Sequence, residues 1–339
     1  MRDAVRSELQ RIAVVVGVLA LAPLPILGST YYEGVLARLL LVALLAVGLN
    51  IVFGHTDQLF LFMGGLAGIG AYGTALLTDW TGVTAWVTLL VAATVAGLLG
   101  LAVSWVSAKR RFTVVLISIL TLNLQLVLSE TFIGARDITG GTTGFSYRSY
   151  FSLGTLAEPL GVPEKVVLYY VSLAVLLAAL LLYVWLTTSR YGMAFDAIRE
   201  DEVAAASIGV DVVYYKSLAG FIGAFVIGLT GAFMAREAAY MLPVEFRFLT
   251  VDVLVLIVLI VGGLRTTLGP VVGSAIVIGI EEVLAAHAAQ WRTAIFGALL
   301  IVLFLYFRQG VVNAVIDLYA SHVGPGGGSG GRPAEEPAD

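Results

Sequence analysis

The sequence predicts an all-α, polytopic membrane protein with about ten transmembrane helices, and three observations support this class. Hydrophobic residues make up 59% of the 339 positions, and the mean hydropathy is +0.97. Charged residues make up only 12%, about half of what soluble proteins contain. Apolar windows of about 20 residues, long enough to cross about 30 Å of hydrocarbon, recur along the chain. Long apolar runs without strand alternation favour helices over a barrel.

Ten apolar windows can be placed in order along the chain. They are 12–28, 35–53, 58–77, 84–107, 112–133, 165–187, 215–236, 249–264, 268–288 and 291–308. The eighth window is short and could be a half-helix. The membrane domain is predicted to cover 1–310, and 311–339 forms a tail whose Gly/Pro-rich part from about 324 is predicted to be disordered.

The basic residues predict that the N- and C-termini are both cytoplasmic. With ten spans in this orientation, one set of 12 basic residues falls inside: Arg2, Arg6, Arg11, Lys109, Arg110, Arg111, Arg190, Arg199, Lys216, Arg265, Arg308 and Arg332. The other 7 fall outside: Arg38, Arg136, Arg148, Lys165, Arg236, Arg247 and Arg292. Cytoplasmic loops carry the excess of Lys and Arg in membrane proteins.

The sequence lacks the residues that metal binding by cysteine and nucleotide binding by a P-loop require. The chain has no cysteine and three histidines, so cysteine-based metal sites are excluded and no metal ligand set is evident. A P-loop requires a lysine after glycine. The three lysines, Lys109, Lys165 and Lys216, follow Ala, Glu and Tyr. Any ATP and Mg²⁺ would therefore bind to another chain, and an intramembrane enzyme is poorly supported.

The internal stretch 189–216, which begins SRYGMAFDAIREDEVAAASIGV, is predicted to hold a short helix that docks against another protein. From Ala194 to Ile208 the small or apolar residues Ala194, Ala197, Ala204, Ala205 and Ile208 share one face of the predicted helix. Charged residues lie on the other side, and Gly209 follows where a left-handed C-terminal cap would be. A helix this short is marginal alone in water.

This stretch resembles the cytoplasmic coupling loop of ABC importer permeases, in the version found in the branched-chain amino acid permease family. Similar segments continue to about Gly310, among them GLNIVFGHTDQLFLFMGGLAGIGAYGTALL (48–77) and VLIVLIVGGLRTTLGPVVGSAIVIGIEEVL (255–284). The loop TGGTTGF (139–145) resembles that of the M-type subunit. Val203 departs from the general importer pattern, which has an acidic residue before the double alanine.

The resemblance implies a permease subunit in a prokaryotic plasma membrane that works with other proteins. Two ATP-binding subunits, a second homologous permease, and an extracytoplasmic binding protein facing loop 134–164 would be its partners; nucleic acid would not. The expected coupling residues are Asp196, Ala197, Arg199, Glu200, Asp201, Glu202, Ala204, Ala205 and Gly209, with Glu200, Asp201 and Glu202 meeting basic groups of the ATPase.

Uncharged polar residues in the apolar segments suggest a translocation path. Ser118, Thr121 and Gln125 form a stripe with Ser129 in the fifth span, and hydrogen bonding between helices explains this stripe equally well. Asn50 and Gln58 flank the connection between the second and third spans. The sequence places no charged residue clearly at mid-depth; Asp252 and the other candidates fall toward span ends.

Three functions remain open from the sequence. An ABC permease for branched-chain amino acids and one for urea or short amides of the same family are not separated by these residues. A secondary transporter driven by an ion gradient would require paired charges near mid-depth.

Overall fold

The computed structural model describes residues 2–23, 30–147, 151–248, 250–287, 291, 295, 297 and 298. Within this part of the chain the protein is all-α, apart from a two-residue β-ribbon. The predicted tenth span, 291–308, lies largely outside the described residues, and the tail 311–339 lies entirely outside them.

The first half of the chain contains seven α-helices. They are α1 (Arg2–Leu21), α2 (Thr30–Leu49), α3 (Met63–Thr81), α4 (Ala85–Lys109), α5 (Val114–Gly134), α6 (Arg136–Thr139) and α7 (Gly154–Leu160). A π-helical turn, Asn50–Gly54, extends α2. A 3₁₀ turn at Gly141–Thr143 and strand β1 (Phe145–Ser146) follow α6.

The second half contains six α-helices. They are α8 (Glu164–Thr188), α9 (Arg190–Glu200), α10 (Glu202–Ser207), α11 (Val212–Ala238), α12 (Asp252–Gly262) and α13 (Gly269–His287). Strand β2 (Tyr240–Met241) pairs antiparallel with β1, and a 3₁₀ turn at Pro243–Phe246 leads to α12.

Six segments of the described part are long and apolar enough to cross a membrane, and each matches one predicted span. They are Tyr31–Gly54, Ala85–Lys109, Val114–Gly134, Glu164–Thr188, Val212–Ala238 and Gly269–His287. The first, third and eighth predicted spans differ more: they are helical over Arg2–Leu21, Met63–Thr81 and Asp252–Gly262. The eighth is short, as the sequence suggested.

Helix α11 lies at the centre of the bundle and packs against α2, α3, α4 and α8. Glycines allow this close packing. A Cβ atom added at Gly70 of α3 would overlap the carbonyl oxygen of Gly228 of α11, and one added at Gly231 would overlap that of Ala67. Small residues at helix crossings let backbones approach in membrane proteins. Helix α5 is peripheral and exposes large apolar side chains such as Val115, Ile119 and Val127.

The two ends of the bundle are distinguished by their contacts. One end, here called the loop face, holds the 189–211 segment together with the ends of α2 and α12. Ion pairs of Arg199 with Asp57 and of Arg265 with Asp196 join them. The other end, the distal face, joins α8 to α11 through Arg236 and Glu164. Successive long helices run alternately between these two faces.

Candidate functional site

Residues 189–211 form two short helices on the loop face. The Ser189 hydroxyl accepts the Tyr191 N–H at 3.2 Å and caps the start of α9. Asp201, in an extended conformation, accepts the N–H groups of Val203 at 2.7 Å and Ala204 at 3.0 Å and caps α10. Both caps supply acceptors for N–H groups that a helix start leaves unpaired.

The expectation of one continuous helix from Ala194 to Ile208 is therefore wrong at Asp201. The same side chain that would sit within a helix instead starts a new one, since aspartate competes well for backbone N–H groups at caps. The end was predicted correctly. Gly209 has φ +90°. The Gly209 N–H donates to the Ala206 carbonyl and the Val210 N–H to the Ala205 carbonyl, both at 3.1 Å, as in a Schellman cap.

The break also divides the predicted small-residue face. Ala194 and Ala205 are buried against the bundle, and Ala197 is half-buried. Ala204 is exposed, and Ile208 keeps 76% of its surface accessible. Val203, next to Ala204, is 67% exposed. An apolar rim of Val203, Ala204 and Ile208, here called the α10 rim, thus faces away from the protein, with exposed Glu200 and Asp201 nearby in sequence.

Three ion pairs tie this segment to three other parts of the chain. Arg199 contacts Asp57 at 3.3 Å, and Arg265 contacts Asp196 at 2.6 Å. Glu202 pairs with the buried Lys216 at the start of α11. Asp201 thus already caps α10, and Glu202 already has a basic partner within the chain. That Glu200, Asp201 and Glu202 also meet basic groups of an ATPase stays a prediction.

Next to these pairs, a hydrogen-bonded joint links α2 to the loop between α12 and α13. Asn50, fully buried, donates to the Thr266 carbonyl at 3.1 Å and accepts the Arg265 N–H at 2.9 Å. Gln58, also buried, donates to the Thr56 hydroxyl at 2.8 Å and the Lys216 carbonyl at 3.2 Å. Both predicted path residues lie at the loop face and join separate elements.

The third span is interrupted. Residues 57–62 are not helical, and α3 begins only at Met63. Thr121, on α5, accepts the Leu61 N–H at 3.0 Å. Gln125 accepts the Gly65 N–H and donates to the Phe246 carbonyl, both at 2.6 Å. Since Gln125 lies about halfway along α5 (Val114–Gly134), this interruption lies about halfway between the two faces.

Asp252 lies at the same level. It is fully buried and accepts the N–H groups of Met63 at 2.5 Å and Gly64 at 3.2 Å, at the start of α3. The prediction that Asp252 falls toward a span end is wrong, because α12 begins inside the bundle. The interrupted helices α3 and α12, here called the broken helices, thus meet at this level. Irregular backbone at membrane depth is tolerated where protein surrounds it.

Ser118 is the exception among the predicted path residues. It is half-buried and donates to the Val114 carbonyl of its own helix at 2.8 Å. Thr121 and Gln125 serve as partners for interrupted backbone, which is the structural alternative raised from the sequence. The role of all five residues in translocation stays a prediction.

Sequence reasoning did not identify the contacts that Asp57, Lys216, Asp252 and Arg265 make. Lys216 and Asp252 are isolated charges in otherwise apolar segments, a signal that marks functional or structural importance in membranes. Their partners, 14 and 189 residues away, do not follow from local pattern.

The TGGTTGF sequence lies near the start of the distal loop 134–164, within its described part. Gly140, Gly141 and Gly144 all have positive φ, from +56° to +73°. An added Cβ at Gly144 would overlap the Met241 carbonyl of the adjoining strand. The motif therefore forms a tight turn that joins α5 to the β-ribbon.

A family model and the curated relatives of this chain agree on one family. The family described as "Branched-chain amino acid transport system / permease component" matches residues 31–304. No solved structure shows a significant match.

The chain is also similar to curated transport proteins. It is 27% identical over 288 residues to the high-affinity branched-chain amino acid transport system permease protein LivM of Salmonella typhimurium and to that of Escherichia coli, covering 79% of this chain and 67% of each relative. It is 26% identical over 262 residues to a probable LivH permease of Methanocaldococcus jannaschii, covering 75% of this chain and 80% of that protein.

The family match extends over most of the chain, including α9, α10 and both broken helices. The six apolar helices agree with a multi-pass protein of a bacterial or archaeal plasma membrane. This chain belongs to the branched-chain amino acid transport permease family and is a membrane permease subunit of an ABC importer.

Proposed function

We propose that this chain forms part of the path by which an ATP-driven importer moves branched-chain amino acids, and that α9 and α10 receive the motion of an ATP-binding subunit. The observation that carries this proposal is the α10 rim. It presents exposed Val203, Ala204 and Ile208 on a segment held to three other parts of the chain by ion pairs.

ATP and Mg²⁺ would bind to two separate ATP-binding subunits. Support comes from the sequence, in which no lysine has the glycine-rich context of a P-loop. The α10 rim would insert into a groove of such a subunit, and Glu200 would face basic groups at the edge of that groove. Among the described residues, Glu200 makes no ion pair within the chain.

A second homologous permease would complete the membrane part, and an extracytoplasmic binding protein would deliver the substrate. The peripheral α5 offers an apolar surface to lipid or to that second permease. The distal loop 134–164 would face the binding protein. LivM and LivH occur as separately named permease proteins among the relatives, which supports a heterodimer.

The loop face would be cytoplasmic, with ten spans and both termini on that side. Lys109, Arg110, Arg111 and Arg265 lie at or near the loop-face ends of α4, α5 and α12. Arg11 lines a shallow cavity together with Leu268, which places the start of α1 at the same face. This grouping follows the excess of basic residues in cytoplasmic loops.

Branched-chain amino acids are the proposed substrates because the LivM relatives are named for their transport. Urea and short amides remain the alternative within the family.

An ion-driven secondary transporter is favoured by one observation, the burial of Asp252 halfway between the faces. Against it, both carboxylate oxygens already accept backbone N–H groups, and no basic side chain pairs with Asp252 among the described residues. If the chain alone, reconstituted without companion subunits, moved solute uphill on an ion gradient, the ATP-driven proposal would be rejected.

The coupling proposal can be tested on the assembled transporter. Ala204→Trp and Ile208→Glu change the α10 rim while leaving the Asp201 cap and the Glu202–Lys216 pair in place. We expect both variants to lose co-purification of the ATP-binding subunits or substrate-stimulated ATP hydrolysis. Val83→Glu, an exposed apolar site between α3 and α4, is the matched control.

Charge reversal at Asp201 and Glu202 provides a second test. Undiminished assembly together with undiminished stimulated hydrolysis in all of these variants would contradict the assignment of α9 and α10 as the coupling element.

A further inference from the structure

A cavity of about 280 Å³ opens toward the distal face, between α2, α11 and the segment that leads into α12. This is close to the lower limit of about 300 Å³ for small-molecule sites. Its occupant must therefore be small.

Charged groups of both signs line this cavity. Arg38 comes from α2, Glu237 from the end of α11, and Glu245 from the 3₁₀ turn before α12. Arg38 also contacts Glu281 of α13 at 3.0 Å, and its side chain keeps 40% of its surface accessible. A guanidinium has five N–H donors, so one carboxylate neighbour leaves capacity for another.

The rest of the lining is largely aliphatic. Leu41 and Leu45 of α2 and Leu254 of α12 contribute to it, together with Met234 and Val251. Burial of an apolar ligand side chain against such a wall lowers the free energy of the complex. The cavity therefore combines a cation, two carboxyl groups and an aliphatic surface.

The inner part of the cavity reaches the broken helices. Phe246, which lines it, has its carbonyl oxygen bonded to Gln125, and Val251 directly precedes Asp252. The cavity thus extends from the distal face to the level at which α3 and α12 begin. Substrate sites of many transporters lie near mid-depth beside discontinuous helices.

We propose that this cavity binds an aliphatic α-amino acid as its zwitterion. Arg38 faces the carboxylate, Glu237 and Glu245 face the ammonium group, and Leu41, Leu45 and Leu254 cover the side chain. The assignment rests on the proposed transport function and narrows it, because it separates amino acids from urea and short amides. A neutral amide would leave the desolvated charges unmatched, which a binding site penalises strongly.

Direct binding to the purified transporter complex, without the binding protein, tests the assignment. The probes are leucine, urea, 3-methylbutan-1-amine (leucine without its carboxylate) and 4-methylpentanoate (leucine without its ammonium group). For the wild type we expect leucine to bind more tightly than the two partial analogues by about tenfold or more, as lost charge-assisted hydrogen bonds imply. Urea should not compete.

Substitutions in the cavity test the proposed role of each lining side chain. Arg38→Gln should weaken leucine binding about tenfold or more while leaving binding of the amine unchanged. Glu237→Gln should weaken leucine and leave binding of 4-methylpentanoate unchanged. Leu254→Trp should fill the cavity and abolish leucine binding. Arg136→Gln, Glu130→Gln and Leu126→Trp are matched controls, because these residues do not line the cavity and lie exposed.

The outcomes separate this assignment from the transport function. Size-exclusion profiles identify variants that fail to fold, and Arg38→Lys, which retains the positive charge, should regain part of the leucine affinity. Unchanged leucine affinity in Arg38→Gln, Glu237→Gln and Leu254→Trp overturns the cavity assignment, as does a wild type that does not bind leucine. ATP-dependent leucine uptake by the wild type would still support the proposed function. Uptake of urea but not leucine would contradict both.

Discussion

The carboxylate of Asp252, at the start of α12, accepts the backbone N–H of Met63, at the start of α3, at 2.5 Å. The two residues are 189 positions apart in the sequence. Asp252 also accepts the Gly64 N–H, so one buried side chain caps a helix from the other half of the chain. A negative charge at that position complements the positive end of the α3 dipole.

Replacing Asp252 tests this cap. Asp252→Ala leaves two buried N–H groups without their acceptor, at about 1–3 kcal/mol each. We expect a clearly lower thermal unfolding midpoint in detergent and a smaller loss for Asp252→Asn, whose amide oxygen can still accept. Asp79→Ala, at the exposed C-terminal end of the same helix, should change the midpoint little. Equal midpoints for the Asp252 and Asp79 alanine variants would show that the cap contributes no stability.

The α3–α11 crossing predicts a contrast between two helical glycines. Gly70→Ala would drive a methyl group into the Gly228 carbonyl, and overpacking of this kind costs about 1–3 kcal/mol or more. Gly279→Ala in α13 meets no atom within 4 Å and should be neutral or stabilising by up to about 1 kcal/mol. Thermal unfolding of the two variants checks this, and a harmless Gly70→Ala would contradict the described crossing.

The pair of Arg265 with Asp196 is expected to affect coupling more than stability. Both side chains are about half exposed, at 41% and 56%, and exposed pairs contribute only about 0–1 kcal/mol. Arg265→Asp should reduce substrate-stimulated ATP hydrolysis with little change in unfolding midpoint. The double variant Arg265→Asp/Asp196→Arg should recover part of that stimulation. A double variant no better than the single one would argue against a direct role of this pair.

Asp201 predicts an acid-sensitive start of α10. Hydrogen bonds from the Ala204 and Val203 N–H groups hold the pKa of Asp201 below its usual value. A carboxyl whose pKa is lower in the folded state stabilises the fold above its unfolded pKa and loses this effect as pH falls through the folded one. The cap should therefore be intact at neutral pH and be lost only below about pH 4. Amide hydrogen exchange at Val203 and Ala204, corrected for intrinsic rates, measures it; Asp201→Asn should remove this pH dependence.

Local signals predicted the long helices and the end of α10 correctly. Six apolar windows coincide with helices to within a few residues, because length and apolar composition are sufficient to specify a span. Gly209 was recognisable because a glycine at the end of a helical pattern suits the left-handed cap. These features depend on residues close together in sequence.

Long-range contacts explain what the sequence did not show. Residues 58–62 are as apolar as a membrane-spanning helix, yet the Leu61 N–H bonds the Thr121 side chain and not a helical carbonyl. Helix α3 starts only at Met63 because Asp252 and Gln125 supply acceptors for its first N–H groups. The break at Asp201 was hidden for a different reason, since an aspartate followed by alanines fits both a helix interior and a helix start. In each case a competing hydrogen-bond partner determined the backbone conformation.

Asn50 has a mechanical consequence for the whole bundle. Through one amide group it fastens the end of α2 to the backbone of Arg265 and Thr266, and Arg265 in turn holds Asp196 of α9. A displacement of α9 would therefore be transmitted both to the loop between α12 and α13 and to the end of α2. If α9 receives the motion of an ATP-binding subunit as proposed, α2 and α12 would be displaced together.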